Sequence, residues 1–288
     1  MEQEVQKSSG AIKEWISPII ITLTIVVGYF VYFVIMGNPA NFEGGDTANH
    51  PINTLGIVYK GGILVGLAIA LFLMVVTFSI ERFITLGKAS GKGSINAFIA
   101  DIREALEKDN IDAAIIRCDE QSGSVGNVIK ATLNKYKEMH ELTIKEAKGA
   151  NIISKGEGGI VVADVKDKEQ KVAAIQKSLE ESTALELPML EKNLVIIATI
   201  VSIATLVGLI GTVLGMIKAF SALATAGAPD AVALSTGISE ALINTAMGIS
   251  TSTIATVAYN YFTSRIDTMT FSIDESGYSI IQTFIAKH

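Results

Sequence analysis

LVIIATIVSIATLVGLIGTVLGMI, residues Leu194 to Ile217, contains no charged side chain. At 1.5 Å per residue, a helix of this length covers the roughly 30 Å of a bilayer's hydrocarbon core. Within that core only a helix or a closed barrel satisfies every backbone polar group. Three other stretches carry the same signal: Ile19 to Met36, which Ile16 and Pro18 extend, Gly61 to Ile80, and Ala241 to Ser264. The whole chain agrees, with 288 residues that are 49% hydrophobic and 18% charged and a mean hydropathy of +0.44. That is high for a soluble domain, and here the apolar residues are gathered into blocks. The predicted fold is an all-α integral membrane protein with four transmembrane helices (16–36, 61–81, 194–217 and 238–264), the last two extended into a helical cytoplasmic region.

Lys7 and Lys13 ahead of the first apolar run also suit a signal peptide. The run is long for such a peptide and no small-x-small cleavage site follows closely, so an uncleaved helix is expected. Of 23 Lys and Arg residues, 17 fall between Arg82 and Lys192, whereas the loop at 37–60 holds only Lys60 and the turn at 218–237 only Lys218. Basic residues stay on the cytoplasmic side. Residues 82–193 are therefore expected in the cytoplasm with both termini (1–15 and 265–288), and 37–60 and 218–237 outside. Trp15, Tyr59, Tyr259, Tyr261 and Phe262 stand near span ends, where interface anchors occur, although any one of them fits chance placement as well. A net charge of −6 with mixed signs gives no basic stripe for nucleic acid. Cys118, the single cysteine, is expected as a free thiol.

In the segment 82–193, Ser94 is a candidate N-cap for Ile95, Phe98, Ile99, Ile102 and Leu106, and Asp109 and Asn110 precede a short helix from Ile111 to Cys118. The two predict a helical hairpin. After a break at Gln121 to Gly126, an amphipathic stretch runs through Val125, Val128, Ile129, Leu133, Tyr136 and Leu142. Gly149 to Asp167 predicts a turn or short hairpin. From Lys168 a helix with Val172, Ile175 and Leu179 inward continues to Ile217, with Pro188 the expected kink. Ile266, Met269, Ile273 and Ile281 continue the fourth span's helix beyond the bilayer.

Gly208, Gly211 and Gly215 in the third span, with Gly248 in the fourth, are small residues spaced for close helix packing. Thr212 shares a face with Thr205. Ala241, Thr245, Gly248, Ser252 and Thr256 form a small, hydroxyl-bearing stripe. Such a stripe could line a wet path, or its hydroxyls could simply bond back to their own helix. Thr212 and Thr245 fall at similar depths, so they could face one site. Glu240, a turn before Thr245, reads either as a functional carboxylate at the membrane edge or as a charge capping its helix. No span holds Asp, Lys, Arg or His in its interior, so the main carrier of any proton flow is expected on another chain. Enzyme signals are weak. "GKASGKG" (Gly87 to Gly93) misses the phosphate-loop spacing, and His50, His140 and His288 are scattered. No catalytic residue, cofactor or metal is expected.

"GLIGTVLGMIKAF" (Gly208 to Phe220), "GISEALINTAMGI" (Gly237 to Ile249) and "YNYF" (Tyr259 to Phe262) resemble the paired membrane segments of the ExbB/TolQ proteins, relatives of the MotA stators. Glu81, Arg82 and Phe83 add minor support. The resemblance implies a non-enzymatic proton-channel subunit of the cell inner membrane. It implies a homo-oligomer, a pentamer, around an ExbD/TolR-like single-span dimer whose Asp carries protons, and a driven TonB- or TolA-like protein. By it, Thr212 and Thr245 line the pore and Glu240 stands at its entrance; Ser252 and Thr256 continue the stripe. Departures are the extra helix at 16–36, Thr205 and the absence of Pro where the family often has it, and the segment Gly149 to Asp167. A TolQ-like or motility-type stator and a non-conducting scaffold remain alternatives.

Overall fold

The computed structural model describes residues 17–154, 165–224 and 230–287. Among these there is no β-strand, only an isolated antiparallel bridge between Phe42 and Pro51. The helices are α1 (Ser17–Met36, closing in a π-turn over Val31–Met36), α2 (Thr54–Tyr59), α3 (Leu64–Ala89), α4 (Ile95–Glu107) and α5 (Ile111–Gln121). They continue as α6 (Gly123–Ser154), α7 (Val165–Glu191), α8 (Leu194–Ala224) and α9 (Ala231–Lys287). Among the described residues four helical segments are long and apolar enough to cross a membrane, namely α1, α3, Lys168–Ala224, which includes α8, and α9. The all-α, four-span fold class expected from the sequence is what these residues form.

The chain divides into two compact units, to both of which α3 and α9 contribute. The first comprises the described residues up to Arg82 together with Asn193–Tyr261. Its core includes Tyr32, Val65 and Ile69, with Ile243 and Met247 packed against them. Leu206, Leu209, Val213, Ile217, Leu242, Ile249 and Val257 are exposed. So many outward apolar side chains suit lipid or neighbouring helices and not water. Arg82, 1% exposed, is paired with Glu81 at 2.5 Å. Asn193 Nδ2 donates to Glu81 at 3.3 Å, and Ser17 Oγ donates to Asn193 at 2.9 Å. A buried guanidinium needs such a partner, because an unpaired buried charge is costly.

The second unit comprises Phe83–Lys192 and the end of α9 from Phe262. The α4–α5 hairpin forms as expected and is clasped by Arg117 to Asp101 at 2.8 Å. Phe98, Leu106, Val128, Ile129, Leu133, Tyr136, Ile175, Ile273 and Phe284 are buried. Lys287 Nζ donates to the Leu106 carbonyl and to Asp109, each at 2.8 Å, satisfying an end carbonyl of α4. Ile266, Met269, Ile273 and Ile281 all point inward, as their spacing predicts, whereas Leu142 is 39% exposed.

Several local expectations are corrected. Ser94 caps α4 without a side-chain bond. The break after α5 is only Ser122, with φ +58, before α6 begins at Gly123. The turn expected from Gly149 starts no earlier than Ser154, where α6 ends; residues 155–164 lie outside the described residues. Helix α7 does not run unbroken into α8: Asn193, at φ +64, interrupts it, while Pro188 sits inside α7. Tyr59 stacks on Tyr32 with ring centroids 4.8 Å apart, and Phe262 is buried. Trp15 and His288 lie outside the described residues.

Candidate functional site

Helices α8 and α9 meet backbone to backbone. Residues Gly208, Gly211, Gly215 and Ala219 are all buried on α8, and Gly237, Ala241, Asn244 and Gly248 are buried on α9. A Cβ on Gly215 would lie 2.6 Å from the Ala241 nitrogen and 2.7 Å from the Gly237 oxygen. One on Gly248 would lie 2.6 Å from the Ala204 oxygen. Neither obstacle is a side chain that can move aside, so only glycine permits this approach.

This contact brings the hydroxyls of Thr212 and Thr245 together in a hydrogen bond. Each also reaches the carbonyl four residues back, Thr212 to Gly208 at 3.2 Å and Thr245 to Ala241 at 3.0 Å. The Gly208 carbonyl lies 3.4 Å from Thr245 as well. The two hydroxyls have two protons, of which one lies between them and the other is left for these carbonyls. Their remaining lone pairs can accept from a water or a carboxylic acid, and rotation of a hydroxyl can turn the pair into a donor. Both threonines are half-buried.

The rest of the stripe divides. Ser252 donates across to the Val201 carbonyl of α8 at 2.8 Å. Thr256 is exposed and donates to its own helix at Ser252, 2.8 Å away, and Thr205 likewise bonds back to Val201 at 3.3 Å. Glu240 does not cap α9, which starts nine residues earlier and has the Asp230 carboxylate accepting from Val232 and Ala233 at 3.0 Å. It is 8% exposed, and its two oxygens accept from Lys218 Nζ at 2.7 and 2.8 Å. Lys218 belongs to α8, which continues to Ala224, so this ion pair bridges the two helices.

Sequence reasoning passed over Asn244, which is 2% exposed and follows Glu240 by one turn. Its Nδ2 donates to the Gly61 carbonyl at 2.6 Å and to the Glu240 carbonyl at 2.9 Å. An amide within a span was the available signal, since polar side chains there tend to bond between helices. The Lys218–Glu240 pairing had no comparable signal. Among the described residues no three His, Cys, Asp or Glu side chains converge as metal ligands would.

Comparison with known proteins bears on what this site does. The profile of the MotA/TolQ/ExbB proton channel family matches residues 127–275. The ExbB-like 3 protein of Synechocystis is 40% identical over 74 residues, 25% of this chain and 35% of that protein. TolQ of the Tol-Pal system from Pseudomonas aeruginosa is 34% identical over 99 residues, 34% of this chain and 43% of that protein. The biopolymer transport protein ExbB of Helicobacter pylori is 38% identical over 93 residues, 32% of this chain and 63% of that protein. The chain thus aligns with less than two thirds of the length of each of these relatives.

Proposed function

This chain belongs to the MotA/TolQ/ExbB proton channel family, and from that premise we propose that it is the stator subunit of an inner-membrane motor, using proton-motive force to energise outer-membrane transport through a TonB-like protein. The observation that carries the reading is the Thr212–Thr245 hydroxyl pair on the glycine-lined α8–α9 contact. In this reading a ring of copies, a pentamer, surrounds an ExbD/TolR-like single-span dimer, and the hydroxyl pair hydrates or polarises that partner's intramembrane Asp. Glu240, paired with Lys218, stands at the path's entrance, and Ser252 and Thr256 extend the path. Residues 37–60 and 218–237 lie outside and both termini in the cytoplasm. The protein needs no cofactor of its own, and its task is conduction coupled to movement, not catalysis.

The test is Thr212→Val and Thr245→Val, which keep shape and remove the hydroxyls. Both variants are expected to assemble with the partner yet lose ion flux and energy-dependent uptake. Full activity in both returns the chain to the class of packing scaffolds. A TolQ-like task is the second reading, favoured by the Pseudomonas and Haemophilus TolQ relatives. A neighbouring TolA-like rather than TonB-like partner distinguishes it.

A further inference from the structure

The connection between α1 and α3 is fastened at several points. Asn41 Nδ2 donates to the carbonyls of Ile35 and Met36, both at 2.8 Å, and Asn41 Oδ1 accepts from Asn53 Nδ2 at 2.8 Å. Asn53 Oδ1 in turn caps α2 by accepting from the Gly56 nitrogen at 2.9 Å. Tyr32 of α1 stacks on Tyr59 and donates to its carbonyl at 3.3 Å. The connection therefore forms a frame anchored on α1, and it ends at Gly61 and Gly62, where φ of +81 at Gly62 turns the chain into α3.

That turn is seated on α9. A Cβ on Gly61 would lie 2.8 Å from Ile243, and one on Gly62 would run into the Glu240 carboxylate. Asn244 closes the seat, its one amide nitrogen bonding the Gly61 carbonyl of the frame and the Glu240 carbonyl of α9. Its other face packs on Gly211 of α8. The Oδ1 of Asn244 is buried with no hydrogen-bond partner. A buried acceptor left unpaired costs stability, and the amide carries that cost while its nitrogen satisfies the Gly61 carbonyl. The advantage of the amide lies in what its donors hold.

We propose that Asn244 is a positioning residue for ion conduction: it locks α9 to the frame built by α1 and the 37–62 connection, and so holds Glu240 and Thr245 at their stations. The inference rests on the assignment of those two residues to the ion path made above. Rotation by one residue turns a helix through about 100°, so a slip of α9 would carry Thr245 away from Thr212. The proposal also gives α1 a task in conduction, as the support of the frame.

The experiment reconstitutes the full chain with its Asp-bearing single-span partner in proteoliposomes and measures proton flux per assembled complex. The variants are Asn244→Leu and Asn244→Ala, each alone and combined with Glu240→Gln. Native mass and partner retention are expected to stay unchanged. Flux is expected to fall on the order of tenfold, since misplacing a group by about 1 Å can cost about a hundredfold. In the Glu240→Gln background the Asn244 substitutions should add less than their full single-variant loss, only the part that runs through Thr245, because residues acting through one another are not additive. Undiminished flux overturns the proposal, as does a loss that adds in full to that of Glu240→Gln, a silent Glu240→Gln, or failure of both Asn244 variants to assemble. Thr212→Val and Thr245→Val measured alongside separate the two levels. If they are silent, the ion-path reading falls and takes this inference with it. If they impair flux while the Asn244 variants conduct normally, only this inference fails.

Discussion

Thr212 and Thr245 acquire their chemistry from each other. Either alone would be a membrane threonine bonded to its own helix, as Thr256 and Thr205 are. Glu240 is similar, since its buried carboxylate is tolerable because Lys218 reaches it from α8. Sequence position revealed the candidates but not the pairings, which depend on two helices meeting in one register. Cys118 shows the opposite case, a reactive residue type made inert by its surroundings. It is 2% exposed, and burial first, then the neighbouring Asp119, pushes its thiol from 9.0 up to about 12. Only the thiolate is nucleophilic, so maleimide labelling of the native protein at neutral pH should be far slower than that of the unfolded chain. Equal rates would contradict the burial. Because the folded state favours the protonated thiol, its contribution to stability is complete below pH 9 and declines as pH rises from 9 towards 12. Alkaline unfolding of Cys118→Ala should lack that component.

Helices were the most legible level. Period and capping residues gave α4 and α5, and Asn110 indeed caps α5 by accepting from Ala113 at 3.0 Å. What periodicity could not give were the interruptions. Pro188, the expected kink, sits within α7, where the cost of a missing donor is local, whereas the helix is interrupted at Asn193, which adopts φ +64. Asparagine tolerates that conformation without announcing it, and here its side chain is held by Glu81 and Ser17. At the α8–α9 contact, Gly215→Val should be severe because a Cβ would meet the α9 backbone at Gly237 and Ala241. We expect a loss of about 1–3 kcal/mol or more from overpacking, read as a lower melting temperature and a weakened hold on the partner. Gly87→Val, which meets nothing within 4 Å, is the control and should be neutral in packing. Equal behaviour of the two would remove the close-packing argument.

For the whole molecule, the exposed apolar face of the first unit needs a covering that one chain does not supply. We expect the solubilised protein to run as a defined ring in native mass measurements and to retain a substoichiometric single-span partner; a monomer that ignores the partner would favour the scaffold. The sequence by itself determined the number of long apolar helices, their amphipathic extensions and the family motif, because each is written in a local period of residue types. Only the tertiary structure decided that Thr212 meets Thr245, that Lys218 answers Glu240 and that Asn244 fastens α9 to Gly61. Those contacts join residues distant along the chain. They are set by how closely glycine-bearing backbones approach and in what register, which no local pattern encodes.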